Sequence, residues 1–195
     1  VFFDGTDTTH LPTHEIIRLG IARTFQSVRV FKRMTVYENV WAGQHRLTRS
    51  GLTSLLPGGK HDEKRLYGKV DEILELMGLR DHREMIAGNL PFGLQRRLEV
   101  ARALATEPRL LLLDEPAGGL SRQEVESLMA SIKKINATGK TILIIEHDMK
   151  VIMNLSKRIA VLNFGRKIAE GPPETVRSSP AVVEAYLGTK GGSGA

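Results

Sequence analysis

An α/β fold, built on a parallel sheet and carrying an inserted helical subdomain, is what the sequence predicts, and three observations predict it. Leu110 to Leu113 is a short continuous apolar run, which suits a strand covered on both faces in a parallel sheet, and it ends at Asp114-Glu115. Thr141 to Ile145 repeats that pattern after an intervening helical pattern, so strand, helix and strand imply a right-handed crossover and a parallel pair. His147 is therefore expected on the same sheet edge as Asp114 and Glu115, the edge where ligands collect in such sheets. Between two sheet-type segments, Thr35 to Asn89 carries helix signals and lacks strand signals.

From the start of the chain, Val1 to Phe3 reads as the end of a strand entering a tight turn, because Asp4-Gly5 supplies the positive backbone angles such turns require. Thr13 is placed to cap a short helix through Glu15 to Leu19, and Gly20 stops it. Ile21 to Phe25 reads as a strand that delivers Gln26 into a loop, Ser27 to Met34. Thr35 and Glu38 form a capping box opening a helix that carries Val36, Val40 and Trp41. Ser50 to Gly59 is loop-like from its Gly and Pro content. Leu66, Val70, Ile73, Leu74 and Met77 make an amphipathic stripe from Glu63 to Met77, with Gly78 as C-cap.

After a turn at Gly93, Leu94, Leu98, Ala101 and Leu104 recur at helical spacing, with Arg96, Arg97 and Arg102 on the other face, until Pro108 breaks the pattern. Ser121 and Glu124 form a second capping box, and Val125, Leu128, Ile132 and Ile135 make the apolar face of the helix that follows. Gly139 ends it. Met149 to Leu155 is a short helix; Arg158 to Asn163 and Arg166 to Glu170 flank Phe164-Gly165 as a strand pair. Pro173 and Pro180 stand in the first turns of two closing helices, and Lys190 to Ala195 is a Gly/Ser tail expected to be disordered.

The 195 residues suffice for one substantial core with a small subdomain. No apolar run approaches the roughly 20 residues that cross a bilayer, and no secretory signal pattern is present, so a cytoplasmic location is expected. The absence of cysteine excludes disulfides, thiolate metal sites and thiol catalysis. A formal net charge of +6 is spread along the chain, compatible with a solvated basic surface as well as with phosphate-rich partners.

An aspartate at the end of a buried strand, followed by glutamate, can divide labour in nucleoside triphosphate hydrolysis: the first holds hydrated magnesium and the second polarises water. Taken alone, Asp114-Glu115 could also be an ordinary strand exit, the lesser of the two readings. His147 could reach a terminal phosphate gathered near Glu115, and the amide oxygen of Gln26 could ligate magnesium or orient water, although either could also be an ordinary surface residue. The helix after Gly93 presents backbone N–H groups and a positive dipole end to an anion, unless these serve capping alone.

In the order Gln26, Leu90 to Gln95, Asp114-Glu115-Pro116 and His147, these elements resemble the nucleotide-binding subunit of an ABC transporter, a P-loop NTPase-like fold. Gln26 matches the Q-loop, Leu90-Pro-Phe-Gly-Leu-Gln the signature motif, Leu111-Leu-Leu-Asp-Glu-Pro the Walker B strand, Gly119-Leu-Ser121 the D-loop and His147 the switch histidine. Ile21-Ala-Arg-Thr-Phe-Gln, Asp114-Glu-Pro-Ala-Gly-Gly and Val161-Leu-Asn-Phe-Gly-Arg-Lys-Ile-Ala-Glu-Gly are similar to the ATPases of branched-chain amino acid importers.

The resemblance implies a single ABC ATPase domain over 1–195. Residues 1–34 are the partial core with the Q-loop, 35–92 the helical subdomain with the signature motif, 93–171 the α/β core, and 172–195 the closing helices and tail. It implies ATP and Mg2+ as ligands, with Glu115 and His147 catalytic and Gln26 and Asp114 at the metal. Leu90, Gly93, Gln95, Gly119 and Ser121 would contact nucleotide in a head-to-tail dimer with a second ATP-binding subunit. Val28 to Met34 and the helical subdomain would meet transmembrane permease subunits on the inner face of the membrane, a solute-binding protein would act indirectly, and no nucleic acid is expected.

The chain departs from the family pattern in places. No Gly-x-x-x-x-Gly-Lys-Ser/Thr phosphate loop is present, and the family has that loop upstream of the strand at Val1, so the sequence is read as truncated before it, with degeneracy as the rival. Pro91 replaces the usual serine, Leu94 the usual glutamine and Ser121 the usual aspartate. Two alternatives stay open: a degenerate, non-hydrolytic interaction subunit, and a nucleic-acid-associated ATPase of the same superfamily.

Overall fold

The computed structural model describes residues 1–44 and 59–187, and divides the chain into two compact units, 1–145 and 146–195. The predicted loop over Ser50 to Gly59 lies outside the described residues except for Gly59, which is corrected to the first residue of a helix, and the Gly/Ser tail lies outside them altogether.

In the first unit, β1 (Phe2–Phe3) and β2 (Thr6–Asp7) form an antiparallel hairpin about Asp4 and Gly5, whose φ angles of 48° and 78° are the positive pair that the Asp-Gly turn predicts. Helix α1 (Thr13–Leu19) is capped differently from expectation. Its N-cap is Pro12, held at φ −66° and extended, and no side-chain cap bond is made, so Thr13 moves inside as the first helical residue. Gly20 ends α1 in the left-handed region.

A three-stranded parallel sheet follows in the order β3 (Ile21–Arg23), β4 (Leu110–Asp114), β5 (Thr141–Ile145). Ile21 stands opposite Leu110, and Leu110 opposite Thr141. The first strand is shorter than Ile21 to Phe25, because the main chain leaves the ladder after Thr24 N–H donates to Leu112 O. Leu111 and Leu113 are fully buried, each side chain contributing about 1.5–3 kcal/mol. The expectation that Thr141 to Ile145 is equally buried is corrected: β5 is one of the two edge strands of this sheet, and Leu143 and Ile145, on one of its faces, are 56% and 59% exposed.

The insertion between β3 and β4 is helical, as the sequence predicts. Helix α2 (Val36–Gly43) begins with the Thr35–Glu38 capping box. Helix α3 (Gly59–Leu76) runs into a Schellman-type end, in which Leu79 N–H donates to Leu74 O around Gly78 at φ 65°. Two 3-10 turns, Arg80–His82 and Ala87–Asn89, lead to α4 (Phe92–Leu104). Val36, Val40, Leu74 and Met77 are fully buried as α2 packs on α3 and α4. Trp41 stacks on Tyr67 with ring centroids 4.7 Å apart. The two ends of the insertion are zipped together: Val36 N–H donates to Met85 O and Ala87 N–H to Met34 O, both at 2.9 Å.

Helix α5 (Arg122–Ala137) starts at the predicted Ser121–Glu124 capping box and buries Leu128, Ile132 and Ile135. The second unit holds α6 (Met149–Leu155), capped by the Asp148 carboxylate, and an antiparallel pair, β6 (Ile159–Asn163) with β7 (Arg166–Gly171). It closes with α7 (Pro173–Arg177) and α8 (Pro180–Leu187), each starting at the proline the sequence marks.

Candidate nucleotide site

The carboxyl ends of β3 and β4 bring the predicted magnesium and base residues together. Asp114, the last residue of β4, receives Arg23 Nη2 at 2.8 Å on its Oδ2, and its main-chain N–H donates to Thr24 Oγ1 at 3.3 Å. Glu115 leaves the strand at φ 44°, an unusual conformation for a non-glycine residue, with its N–H donating to Ile145 O at 2.9 Å. Gln26 Nε2 donates to Glu115 Oε2 at 3.1 Å. A glutamine from one strand exit thus meets the glutamate of its neighbour.

At the first turn of α4, the expected turn at Gly93 is corrected. Pro91 is the N-cap and Gly93 lies inside the helix, buried. Proline's fixed φ, here −52°, lets the helix begin at once, and Leu94 and Gln95 N–H both reach back to Pro91 O at 3.0 Å. Gln95 Nε2 donates to Leu90 O at 2.8 Å, fastening this approach. No side-chain cap bond is made at this end of α4. The D-loop residues lie against it: a Cβ at Gly119 would be 3.0 Å from the Phe92 ring, and one at Gly93 would be 2.1 Å from Glu124 Oε1. A side chain at Gly93 would have to displace the Glu124 carboxylate. Ser121 holds Glu124 Oε2 with its N–H at 2.8 Å and its hydroxyl at 2.7 Å, and these bonds keep the Glu124 carboxyl below the ordinary carboxylate range.

His147 lies two residues beyond β5, in the second unit. It is exposed, and its main-chain N–H donates to Glu146 Oε2 at 3.1 Å.

The polar face assigned to Arg96, Arg97 and Arg102 is also corrected. Each donates to a main-chain carbonyl of another segment: Arg96 to Phe25 and Gln26, Arg97 to Met77, and Arg102 to Arg29. Burial pushes Arg97 and Arg102 below the ordinary guanidinium value. Arg96 is 4% exposed and pairs at 3.2 Å with Glu99, itself 5% exposed. Asn39 is another residue the sequence reading missed. Fully buried in α2, it accepts from Phe31 N–H at 2.8 Å and donates to the carbonyls of Phe31 and Thr35 at 3.0 and 2.9 Å, shaping the loop after Gln26. That loop borders a groove of about 540 Å3 lined by Phe25, Arg29, Phe31, Gly43, Arg102 and Ala103, among others.

A parallel sheet with a helical insertion, a strand-exit Asp-Glu pair met by a glutamine, and an uncapped glycine-containing helix start define the class: the chain belongs to the ABC transporter family, and it is an ABC-type ATPase. The family's sequence profile matches residues 1–118. Within that class, the profile described as branched-chain amino acid ATP-binding cassette transporter matches residues 166–191.

The chain is 44% identical over 189 residues to the high-affinity branched-chain amino acid transport ATP-binding protein BraF of Pseudomonas aeruginosa, covering 95% of this chain and 74% of that protein. It is likewise 44% identical over 182 residues to LivG of Escherichia coli K12, described in the same words, covering 91% and 71%. Among solved structures, the ADP conformation of MJ1267, an ATP-binding cassette of an ABC transporter, superposes with a TM-score of 0.79 at 33% identity, over 96% of this chain and 76% of that one. The dimeric post-hydrolysis state of the cassette MJ0796, bound to ADP and Pi, gives 0.72 at 27% identity, over 88% and 72%. No helix among the described residues is long and apolar enough to cross a membrane.

Proposed function

We propose that this chain serves as the ATP-hydrolysing subunit of an importer of branched-chain amino acids or similar amino-acid and amide solutes, and that it turns ATP over only where a phosphate-cradling loop is supplied to it, because its 195 residues carry no Gly-x-x-x-x-Gly-Lys-Ser/Thr run. The observation that carries the reading is the Gln26–Glu115 contact of 3.1 Å, which joins the exits of neighbouring parallel strands. Glu115 is the general base that takes a proton from the attacking water, and Gln26 holds its carboxylate in place. His147 orients that water and the γ-phosphate. Leu90, Gly93 and Gln95, with Gly119 and Ser121, face the nucleotide bound by a second ATP-binding subunit, where the uncapped start of α4 offers N–H groups to phosphate oxygens. The dimer of MJ0796 supports this pairing.

Asp114 and Gln26 would hold Mg2+, which supplies charge neutralisation at the β- and γ-phosphates. Oxygen donors in this number suit the ion: magnesium takes one or two protein ligands and completes its shell with waters and phosphate.

The residues Val28 to Met34 and the groove beside α2 and α4 receive a transmembrane permease, which keeps the chain on the inner membrane face and links it indirectly to a solute-binding protein. A second reading, a non-hydrolytic interaction subunit, draws support from Pro91 at the N-cap, which brings no hydroxyl, and from the lack of any Gly-x-x-x-x-Gly-Lys-Ser/Thr run in the chain. Leucine uptake separates the two. E. coli LivG with its matched 182 residues replaced by this chain is expected to restore high-affinity uptake in cells lacking LivG. A hybrid that accumulates and assembles with the permease yet supports no uptake would sink the proposal.

A further inference from the structure

The main chain from Thr24 to Arg29 leaves the β3–β4 ladder and forms neither helix nor strand, so its N–H and C=O groups need other partners. Two side chains of α4 supply four of them. Glu99 Oε1 accepts from Phe25 N–H at 3.4 Å and from Arg29 N–H at 3.3 Å. Arg96 donates through Nη1 to Phe25 O at 3.2 Å and through Nη2 to Gln26 O at 2.9 Å. The two residues pair with each other at 3.2 Å, and both side chains are at least nine-tenths buried. A buried ion pair is by itself weak evidence for stability, because the cost of desolvating both charges offsets their attraction. Here both charges are spent on one loop.

Gln26 is therefore held at two points. Its carbonyl is fixed by Arg96, and its side-chain amide reaches Glu115. We infer that Arg96 and Glu99 are positioning residues, whose buried pair folds the loop against α4 and so sets where the Gln26 amide stands relative to Glu115. The inference rests on the reading of Gln26 as a residue of the nucleotide site. Because the first turn of α4 carries Gly93 and Gln95, any displacement of that helix carries the Gln26 carbonyl with it, tying the own-site glutamine to the end that faces the partner's nucleotide.

Amide hydrogen exchange and NMR on the whole chain test this with Arg96→Lys and Glu99→Gln. Lysine keeps the charge beside Glu99 but brings one nitrogen where the guanidinium spreads two, so it rescues a pair that only stabilises the helix and fails to rescue one that folds the loop. Exchange at Phe25 and Arg29, taken as a ratio to exchange at Leu98 and Val100, is expected to rise about tenfold or more in both variants. The side-chain NH2 signals of Gln26, assigned as those missing from Gln26→Ala, are expected to respond to Glu115→Gln in the native background and to stop responding in either variant. A variant in which Leu98 and Val100 also lose protection has lost the fold, and the milder Arg96→Lys then decides. An unchanged ratio in Arg96→Lys, with the Gln26 response intact, overturns the inference. Neither readout uses nucleotide, so a failure of the proposed ATPase function registers separately.

Discussion

Alanine at Gly43 sets helix propensity against packing, and the two predict opposite signs. Gly43 is the last residue of α2, and alanine is favoured over glycine within helices by about 1 kcal/mol. A Cβ there would stand 2.5 Å from the main-chain carbonyl oxygen of Arg102 and 3.0 Å from Cβ of Ala105. Carbon and carbonyl oxygen rest about 3.3 Å apart, so α2 and α4 would have to separate by about 0.8 Å, and no rotamer change can relieve a clash with main chain. Overpacking of this kind costs about 1–3 kcal/mol, which leaves a net loss of up to about 2 kcal/mol once the propensity gain is subtracted. Gly68, exposed on α3 with nothing within 4 Å of its Cβ position, is the control: alanine there should stabilise by about 0.5–1 kcal/mol. Urea unfolding followed by circular dichroism reads both as midpoint shifts at unchanged slope. The reasoning is refuted if the two alanines move the midpoint in the same direction.

Ser121→Ala removes the hydroxyl half of the α5 capping box and should lower stability by about 1 kcal/mol, read as a fall in thermal midpoint, whereas Ser121→Asp, which retains an acceptor, should lose less. Lys69 Nζ lies 2.7 Å from Glu107 Oε1, and its hydrogen bond holds the Glu107 carboxyl below the ordinary value of 4.5. A folded-state value lower than the unfolded one stabilises the fold above the unfolded value, and this stabilisation is lost as pH falls through the folded one. The stability gap between the native chain and Glu107→Gln should thus be full at neutral pH and close progressively below about pH 4.5; a gap that widens on acidification contradicts the assignment. Without a phosphate-cradling loop, the purified 195-residue chain with Mg-ATP should release no phosphate above the Glu115→Gln background, and a turnover abolished by that substitution would contradict this.

Much of the frame was readable because it depends on local rules. Both capping boxes, the Asp-Gly turn, the parallel β4–β5 pair and the helical insertion rest on residue spacings that neighbours along the chain determine. The misreadings share a different cause. Charge spacing of i to i+3 is common on solvated helix faces, so Arg96 and Glu99 gave no sign in one dimension that a loop about 70 residues earlier would bury them. Thr13 looked like a cap because cap preference was weighed without the fixed φ of Pro12, which already occupies that position. Thr141 to Ile145 reads as covered because apolar character reports strand type and says nothing of whether a strand ends up central or at an edge. In the candidate site, the carboxylates and Gln26 were legible from their strand exits, whereas the Arg23 contact to Asp114 and the Asn39 bonds to the following loop depend on the three-dimensional path of that loop.

The claim at the centre of this account is that Glu115, steadied by Gln26, is the base for ATP hydrolysis. The hybrid of E. coli LivG carrying this chain in place of its matched residues, reconstituted with its permease, allows that claim to be measured directly as Mg-ATP turnover with and without Glu115→Gln. The account predicts a fall in kcat of about a hundredfold or more with ATP affinity nearly unchanged, the signature of a lost general base. A variant whose kcat stays within about threefold of the parent hybrid would contradict it.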